Sequence, residues 1–216
     1  MKIISTNIAK VTTMMHKGKA IKTAILKKPT NNEVTIARTH IIGDEQADPK
    51  WHGGEEKAVY GFSANHYPYW QQQLNNDSLC AGMFGENFTI SDLSEEFINI
   101  GDRFRLGSAL LEVSQPRDPC FKLALAVKDE RILKLFTRRF CTGVYFRVIE
   151  TGHAKVGDMV QCEHKADHGI SIKKLFRAFY DNQYPEALTV MKTAVALPTL
   201  APEWQEKLQT RLSKHD

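Results

Sequence analysis

The 216-residue chain reads as a mainly β, α+β protein: a closed or nearly closed barrel of short strands, followed by a small three-helix unit. Three observations predict this. Short runs of alternating polar and apolar residues, bounded by turn residues, recur from Ile3 to Cys162. Two Gly-Asp units, Gly101-Asp102 and Gly157-Asp158, each stand directly before such a run, as turns do. Beyond about residue 164 the pattern changes to helical spacing. The domains expected are therefore 1–163 and 164–216.

In chain order, residues 1–42 read as antiparallel β. Ile3, Ile4 and Ile8 open it, residues 20–26 alternate, and 33–38 alternate again after the turn signal Pro29-Thr30-Asn31-Asn32. Residues 58–62 form a strand. Ser63 then caps a helix through His66, Tyr67, Trp70 and Leu74, with a first turn distorted by Pro68 and its aromatics in the core. Residues 88–90, 103–106 and 108–113 are strands. Residues 128–140 show one apolar helical stripe of Ile132, Leu133, Leu135, Phe136 and Phe140. Thr142-Gly143 ends it, and 144–149 and 159–162 are strands. Residues 164–169 read as a linker. Ser171, Pro185 and Pro202 then start helices over 172–180, 186–196 and 203–214. This tail holds eight Lys/Arg against six Asp/Glu, too even for a nucleic-acid face. It reads as a packing or homodimerisation unit.

Composition excludes some classes. Hydrophobic content is 42%, charged content 25% and net charge +4, ordinary for a globular protein and too modest to imply a polyanion partner. No apolar run approaches the roughly 18 residues that span a bilayer, and the N-terminus lacks a secretory pattern, so the expected compartment is the cytoplasm. Cys80, Cys120, Cys141 and Cys162 are far apart, with no C-x-x-C pair, and are expected as free thiols. No Rossmann, P-loop or ferredoxin fingerprint is present.

The residues that carry chemistry fall in four places. Pro116 and Pro119 force a turn after the 108–113 strand, and that turn carries Arg117, Cys120 and Lys122. Two cations beside a thiol favour its thiolate, which suits a nucleophile or a soft-metal ligand; a small residue packed under a proline turn has the same look. The loop from Ile42 to Gly54 is polar and ends in His52-Gly53-Gly54. Its His is an acid/base, metal or phosphate candidate, or a structural His in a solvated loop. Asp44, Glu45 and Asp48 lack the EF-hand spacing. Glu86-Asn87 precedes a strand, where a carboxylate pairs with a cation or orients a catalytic group. Arg147 interrupts an apolar run, so it faces solvent or an anion.

Taken together, Gly43-Asp44-Glu45-Gln46-Ala47-Asp48, His52-Gly53-Gly54, Phe84-Gly85-Glu86-Asn87, Ser114-Gln115-Pro116-Arg117-x-Pro119-Cys120-x-Lys122 and Val144-Tyr145-Phe146-Arg147-Val148-Ile149 resemble the MOSC domain. The tail makes the YiiM-like branch, with its C-terminal 3-alpha domain, the nearer likeness. The resemblance implies a β-barrel with flanking helices that binds molybdenum cofactor, a metal held by a pterin dithiolene, with Cys120 as the protein's metal ligand. It implies reduction of N-hydroxylated compounds (hydroxylaminopurine- or amidoxime-like), a detoxifying activity fed by a separate electron-donor protein. Expected cofactor contacts are His52, Gly53, Gly54, Lys57, Glu86, Asn87, Arg117, Cys120, Lys122 and Arg147, with Cys120, His52 and Glu86 as the catalytic set. A molybdenum centre cycling between Mo(IV) and Mo(VI) supplies both electrons at one place. Two other readings compete: a sulfur carrier with a Cys120 persulfide, and a non-enzymatic cofactor- or DNA-binding module.

Overall fold

The computed structural model describes residues 1–49 and 53–214. Its main sheet has eight strands in the order β12-β8-β9-β10-β6-β7-β1-β4. These are β1 (Ile3–Ile8), β4 (Lys28–Thr30), β6 (Val59–Ser63), β7 (Phe88–Ile90), β8 (Arg103–Leu106), β9 (Ala109–Pro116), β10 (Val144–Glu150) and β12 (Val160–His164). Two short ribbons sit beside it, β2 (Thr12–His16) with β3 (Lys19–Thr23), and β5 (Val34–Ile36) with β11 (Gly152–Ala154). Every pair in the main sheet is antiparallel except β6 with β7. The sheet curls until the start of β1 meets the start of β12. Lys2 bridges Met159, Ile3 N donates to Asp158 O (3.0 Å), and Val160 N donates to Met1 O (2.9 Å). That short seam joins β1 to β12 and satisfies backbone groups an open edge would leave exposed.

β6 shows how the sheet serves two cores. All five of its residues are buried. Successive side chains point to opposite faces, so Val59 enters the barrel cluster with Phe104, Leu111 and Phe146, while Tyr60 and Phe62 enter a second, outer cluster. In that outer cluster Phe62, Phe84 and Phe136 stack (Phe62 to Phe84, 4.6 Å between ring centres), and Tyr67 meets Phe84 edge-on at 5.4 Å. Three helices cover it: α1 (Tyr67–Leu74), α2 (Phe121–Val127) and α3 (Arg131–Arg139). At the other end of the chain, α4 (Ile172–Tyr180), α5 (Ala187–Val195) and α6 (Pro202–Leu212) bury Ile172, Leu175, Phe176, Trp204 and Leu208 in the same cluster as the barrel interior. Among the described residues no helix is long and apolar enough to cross a membrane.

The mainly β, α+β architecture and the C-terminal helices agree with expectation, and three local differences have physical reasons. Pro29 lies inside β4 rather than in a turn, and β4 is an edge strand, where a missing N–H costs no ladder bond. The helix expected over 128–140 is present as α3, Arg131–Arg139, but an unexpected helix, α2, precedes it, closed by Lys128 in a left-handed conformation (φ 58°). Pro68 falls at the start of α1 instead of its fifth position; a 3-10 turn, Ala64–His66, takes the place of the distorted first turn, and Ser63 makes no side-chain cap. Ser171 caps α4 as expected, accepting from Lys174 N at 3.2 Å.

Candidate active site

Pro116 is the last residue of β9, paired with Val144. The chain must leave the sheet there, and Pro119 keeps the turn short. Cys120 follows in an extended conformation as the residue that opens α2. Leu123, Ala124 and Val127 of that helix are buried in the outer aromatic cluster, so the Cys120 turn is anchored at both ends. It borders a solvent-open pocket. Around the rim, Cys120 and Lys122 face Thr23 to Lys27 of the chain leaving β3, Asp44 to Ala47 of the polar loop, and Lys57. Tyr60, Asn87, Arg117 and Tyr145 complete the wall.

The wall is cationic, and its cations are not equivalent. Lys27 is buried against Asp44, with Nζ to Oδ1 at 2.6 Å. Burial depresses the lysine's proton affinity, and the charges of Asp44 and Glu86 offset part of that loss. Asp44 also accepts from Ala9 N (2.7 Å) and Asn87 Nδ2 (2.9 Å), while Asn87 Oδ1 accepts from Tyr60 N (3.1 Å). Lys57 pairs with Glu203 of α6. Arg117 and Lys122 differ: they are 5% and 9% exposed, and neither forms an ion pair with a carboxylate among the described residues. The Arg117 guanidinium lies over Tyr60 (4.8 Å) and Phe136 (5.7 Å) and donates to Tyr60 Oη at 3.4 Å. Burial opposes its charge, but the acidic groups of Tyr60, Tyr145 and Cys120 hold its pKa above the usual value. Tyr145 is pushed up to about 12, by burial before anything else.

The C-terminal helices brace this wall. Asp118, between Arg117 and Cys120, accepts from Tyr180 Oη of α4 (3.0 Å) and pairs with Lys207 of α6. Lys207 also pairs with Glu203 (2.7 Å), the partner of Lys57. One chain of charges thus ties the Cys120 turn and Lys57 to a single helix. Ala201 N donates to Ser114 O (3.0 Å) beside them.

Of the residues singled out in the sequence, the pocket gathers Lys57, Asn87, Arg117, Cys120 and Lys122. His52 lies outside the described residues. Gly53 packs behind the wall, where a Cβ would stand 2.3 Å from Gln46 Oε1; Gly54 takes a φ of 90°, which glycine adopts without strain. Arg147 is held elsewhere, by Glu112 (Nη1 to Oε1, 2.8 Å) and Glu56, so the anions it faces are the protein's own. Glu86 lies beneath the pocket and is fully buried; its Oε1 accepts from Tyr67 Oη (2.5 Å), Gly82 N (2.9 Å) and Thr89 Oγ1 (2.8 Å), and its Oε2 has no partner among the described residues. Lys27, Tyr60 and Tyr145 are wall residues that sequence reasoning did not find, and no local pattern marks them.

Burial raises the Glu86 pKa well above the usual carboxylate range, against the pull of its three donors. A carboxyl raised on folding stabilises the fold below its unfolded pKa, and that stability is lost as pH rises toward the folded value. Wild-type melting temperature is therefore expected to fall as pH climbs above the ordinary carboxylate range. Glu86→Gln keeps an oxygen for the three donors, and its melting temperature is expected to follow pH less steeply. Thermal unfolding across pH, both proteins side by side, checks this; equal slopes would show that Glu86 is not the titrating group.

Comparison with known proteins places these features in a family. Residues 48–161 match the model of the MOSC domain, and residues 170–215 match that of the YiiM-like, 3-alpha helix domain. An uncharacterized protein of Bacillus subtilis, YflK, is 38% identical over 205 residues, which cover 94% of this chain and 90% of that protein. A Gibberella moniliformis protein named Reductase is 39% identical over 146 residues, 66% of this chain and 26% of that longer protein. The crystal structure of YiiM from Geobacillus stearothermophilus superposes with a TM-score of 0.81 at 28% identity, covering 98% of each chain.

Proposed function

The chain belongs to the MOSC domain family, with a YiiM-like 3-alpha helix domain behind the barrel, and from that premise we propose that it is a molybdenum-cofactor reductase of N-hydroxylated compounds. One observation carries the reading: Arg117 and Lys122, two buried cations without a carboxylate partner among the described residues, stand on either side of Cys120 in one pocket wall. Buried charge is retained where something opposite in sign completes it. A pterin phosphate beside a metal bound through sulfur is such a partner.

The residues present fit that group. Cys120 offers a soft sulfur ligand. Arg117 offers a planar fork for phosphate, and Lys122 and Lys57 offer point charges. Asn87 acts through Asp44, since its amide is spent on Asp44 and the Tyr60 backbone. Glu86, fully buried, braces Tyr67 and the turn at Gly82 rather than touching substrate. Arg147 steadies Glu56, next to Lys57, and Gly53 leaves room for the Gln46 side chain of the wall, which a Cβ would meet. His52 is the proposed proton donor as the N–O bond breaks. When bound, the cofactor supplies two electrons at one centre, replenished by a separate donor protein. The substrates are small hydroxylaminopurine- or amidoxime-like molecules, and the proposed compartment is the cytoplasm.

The test is molybdenum per chain, measured by elemental mass spectrometry on protein from a host that makes the cofactor, wild type beside Cys120→Ser. About one molybdenum per wild-type chain, largely lost in the variant, is the expected result. No metal in either, with a co-expressed molybdoenzyme fully loaded, would turn the reading to sulfur transfer and to the mass of Cys120 itself.

A further inference from the structure

Away from the pocket, three segments distant in sequence bring a nitrogen, an oxygen and a sulfur donor together. His66 ends the 3-10 turn before α1, Glu95 lies between β7 and β8, and Cys141 follows α3. Their ligand atoms all fall within 4.8 Å of one another. We propose that His66, Glu95 and Cys141 form a binding site for a first-row divalent transition metal, zinc foremost.

The donors are held before any ion arrives. His66 Nε2 stands 2.9 and 3.1 Å from the two Glu95 oxygens, and its ring packs on Phe62 at 5.3 Å. Glu95 Oε1 also accepts from Gly143 N (2.9 Å), and Glu95 O accepts from Lys173 N (2.9 Å). Cys141 is fixed by its neighbour Thr142, whose carbonyl takes the Tyr60 hydroxyl at 2.7 Å. Donors around tetrahedral zinc stand roughly 3.3–3.8 Å apart, so the ion would draw the widest pair in by about 1 Å.

The donor set also selects the ligand. Mixed N, O and S donors suit zinc and its neighbours and disfavour magnesium and calcium, which take oxygen. Glu95 is almost fully buried, whereas His66 and Cys141 are partly exposed, which leaves an entry path and a fourth position for water. A nucleophilic role for Cys141 fits less well. Burial, and then the charge of Glu95, push its thiol up to about 12, so it is not a ready thiolate. Metal binding would replace the thiol proton with the ion and give the buried Glu95 charge a permanent partner.

The test uses full-length protein stripped with a chelator, then dialysed against micromolar zinc or cobalt(II). It is run in wild type and in Cys120→Ser, so that the pocket thiol is accounted for. About one zinc per chain is expected in both. The cobalt form of both should show a near-ultraviolet thiolate-to-metal absorption. Cys141→Ser should lose that absorption, and Cys141→Ser and His66→Asn should each bind zinc at least about tenfold more weakly. The two variants guard each other against misfolding, and thermal unfolding of the stripped proteins identifies a failed fold. Undiminished zinc in Cys141→Ser, a cobalt form without the thiolate band, or no zinc retained by wild type would each overturn the site.

Discussion

Methionine at position 27 is expected to destabilise the protein by about 3 kcal/mol, near the low end for removing one partner of a buried ion pair. At about 2–4 °C per kcal/mol for a chain of this size, the melting temperature should drop by about 6–12 °C. Lys27 and Asp44 are both buried, with side chains 9% and 4% exposed. Without the ammonium, Asp44 keeps, among the described residues, the Ala9 N–H and the Asn87 amide as donors to its side chain, too little for a carboxylate out of water. The low end applies because those two donors remain. Pairing Lys27→Met with Asp44→Asn removes the orphaned charge and keeps an acceptor for Ala9, so the double variant should recover most of the loss. Thermal and urea unfolding of the four proteins form a double-mutant cycle. A Lys27→Met protein as stable as wild type would show that the pair is not what holds the polar loop under the pocket.

That pair marks where sequence reading reaches its limit. Strands such as β8, β9 and β10 were legible because period-two alternation and the Gly-Asp turns are local signals. The C-terminal helices were legible from Ser171 and Pro202 for the same reason. β2 escaped notice because Thr12–His16 pairs only with β3, and none of its residues is buried, so no apolar alternation was required. α2 escaped notice because Phe121–Val127 is short and apolar nearly all round, with no one-sided stripe to mark a helix. At the site, Arg117, Cys120 and Lys122 could be found together because one turn carries them. Lys27 looks like half of an ordinary surface Lys-Lys pair, and only the fold brings it to Asp44. Glu86 looks like a polar turn residue, yet Tyr67, Gly82 and Thr89 enclose it. Arg147 finds carboxylates 91 and 35 positions away. Convergence of this kind is set by sheet order, which no local pattern encodes.

Arg117→Met should separate what the pocket costs from what it binds. Methionine fills much of the same space over Tyr60 and Phe136 without a charge. In cofactor-free protein the change removes a buried guanidinium that no carboxylate among the described residues completes. Replacing such a charge with an apolar side chain is neutral or stabilising, so the melting temperature should hold or rise. Cofactor retention should move the other way. A charged hydrogen bond to an anion contributes about 1.5–3 kcal/mol, which is about ten- to a hundredfold in affinity. Arg117→Lys should recover only part of it, since the ammonium lacks the planar fork and lies poorly on the two rings. Molybdenum per chain and melting temperature, measured on the same samples of wild type and both variants, give the two signs. A large drop in stability with molybdenum content intact would make Arg117 a structural residue and remove the main support for an anionic ligand at Cys120.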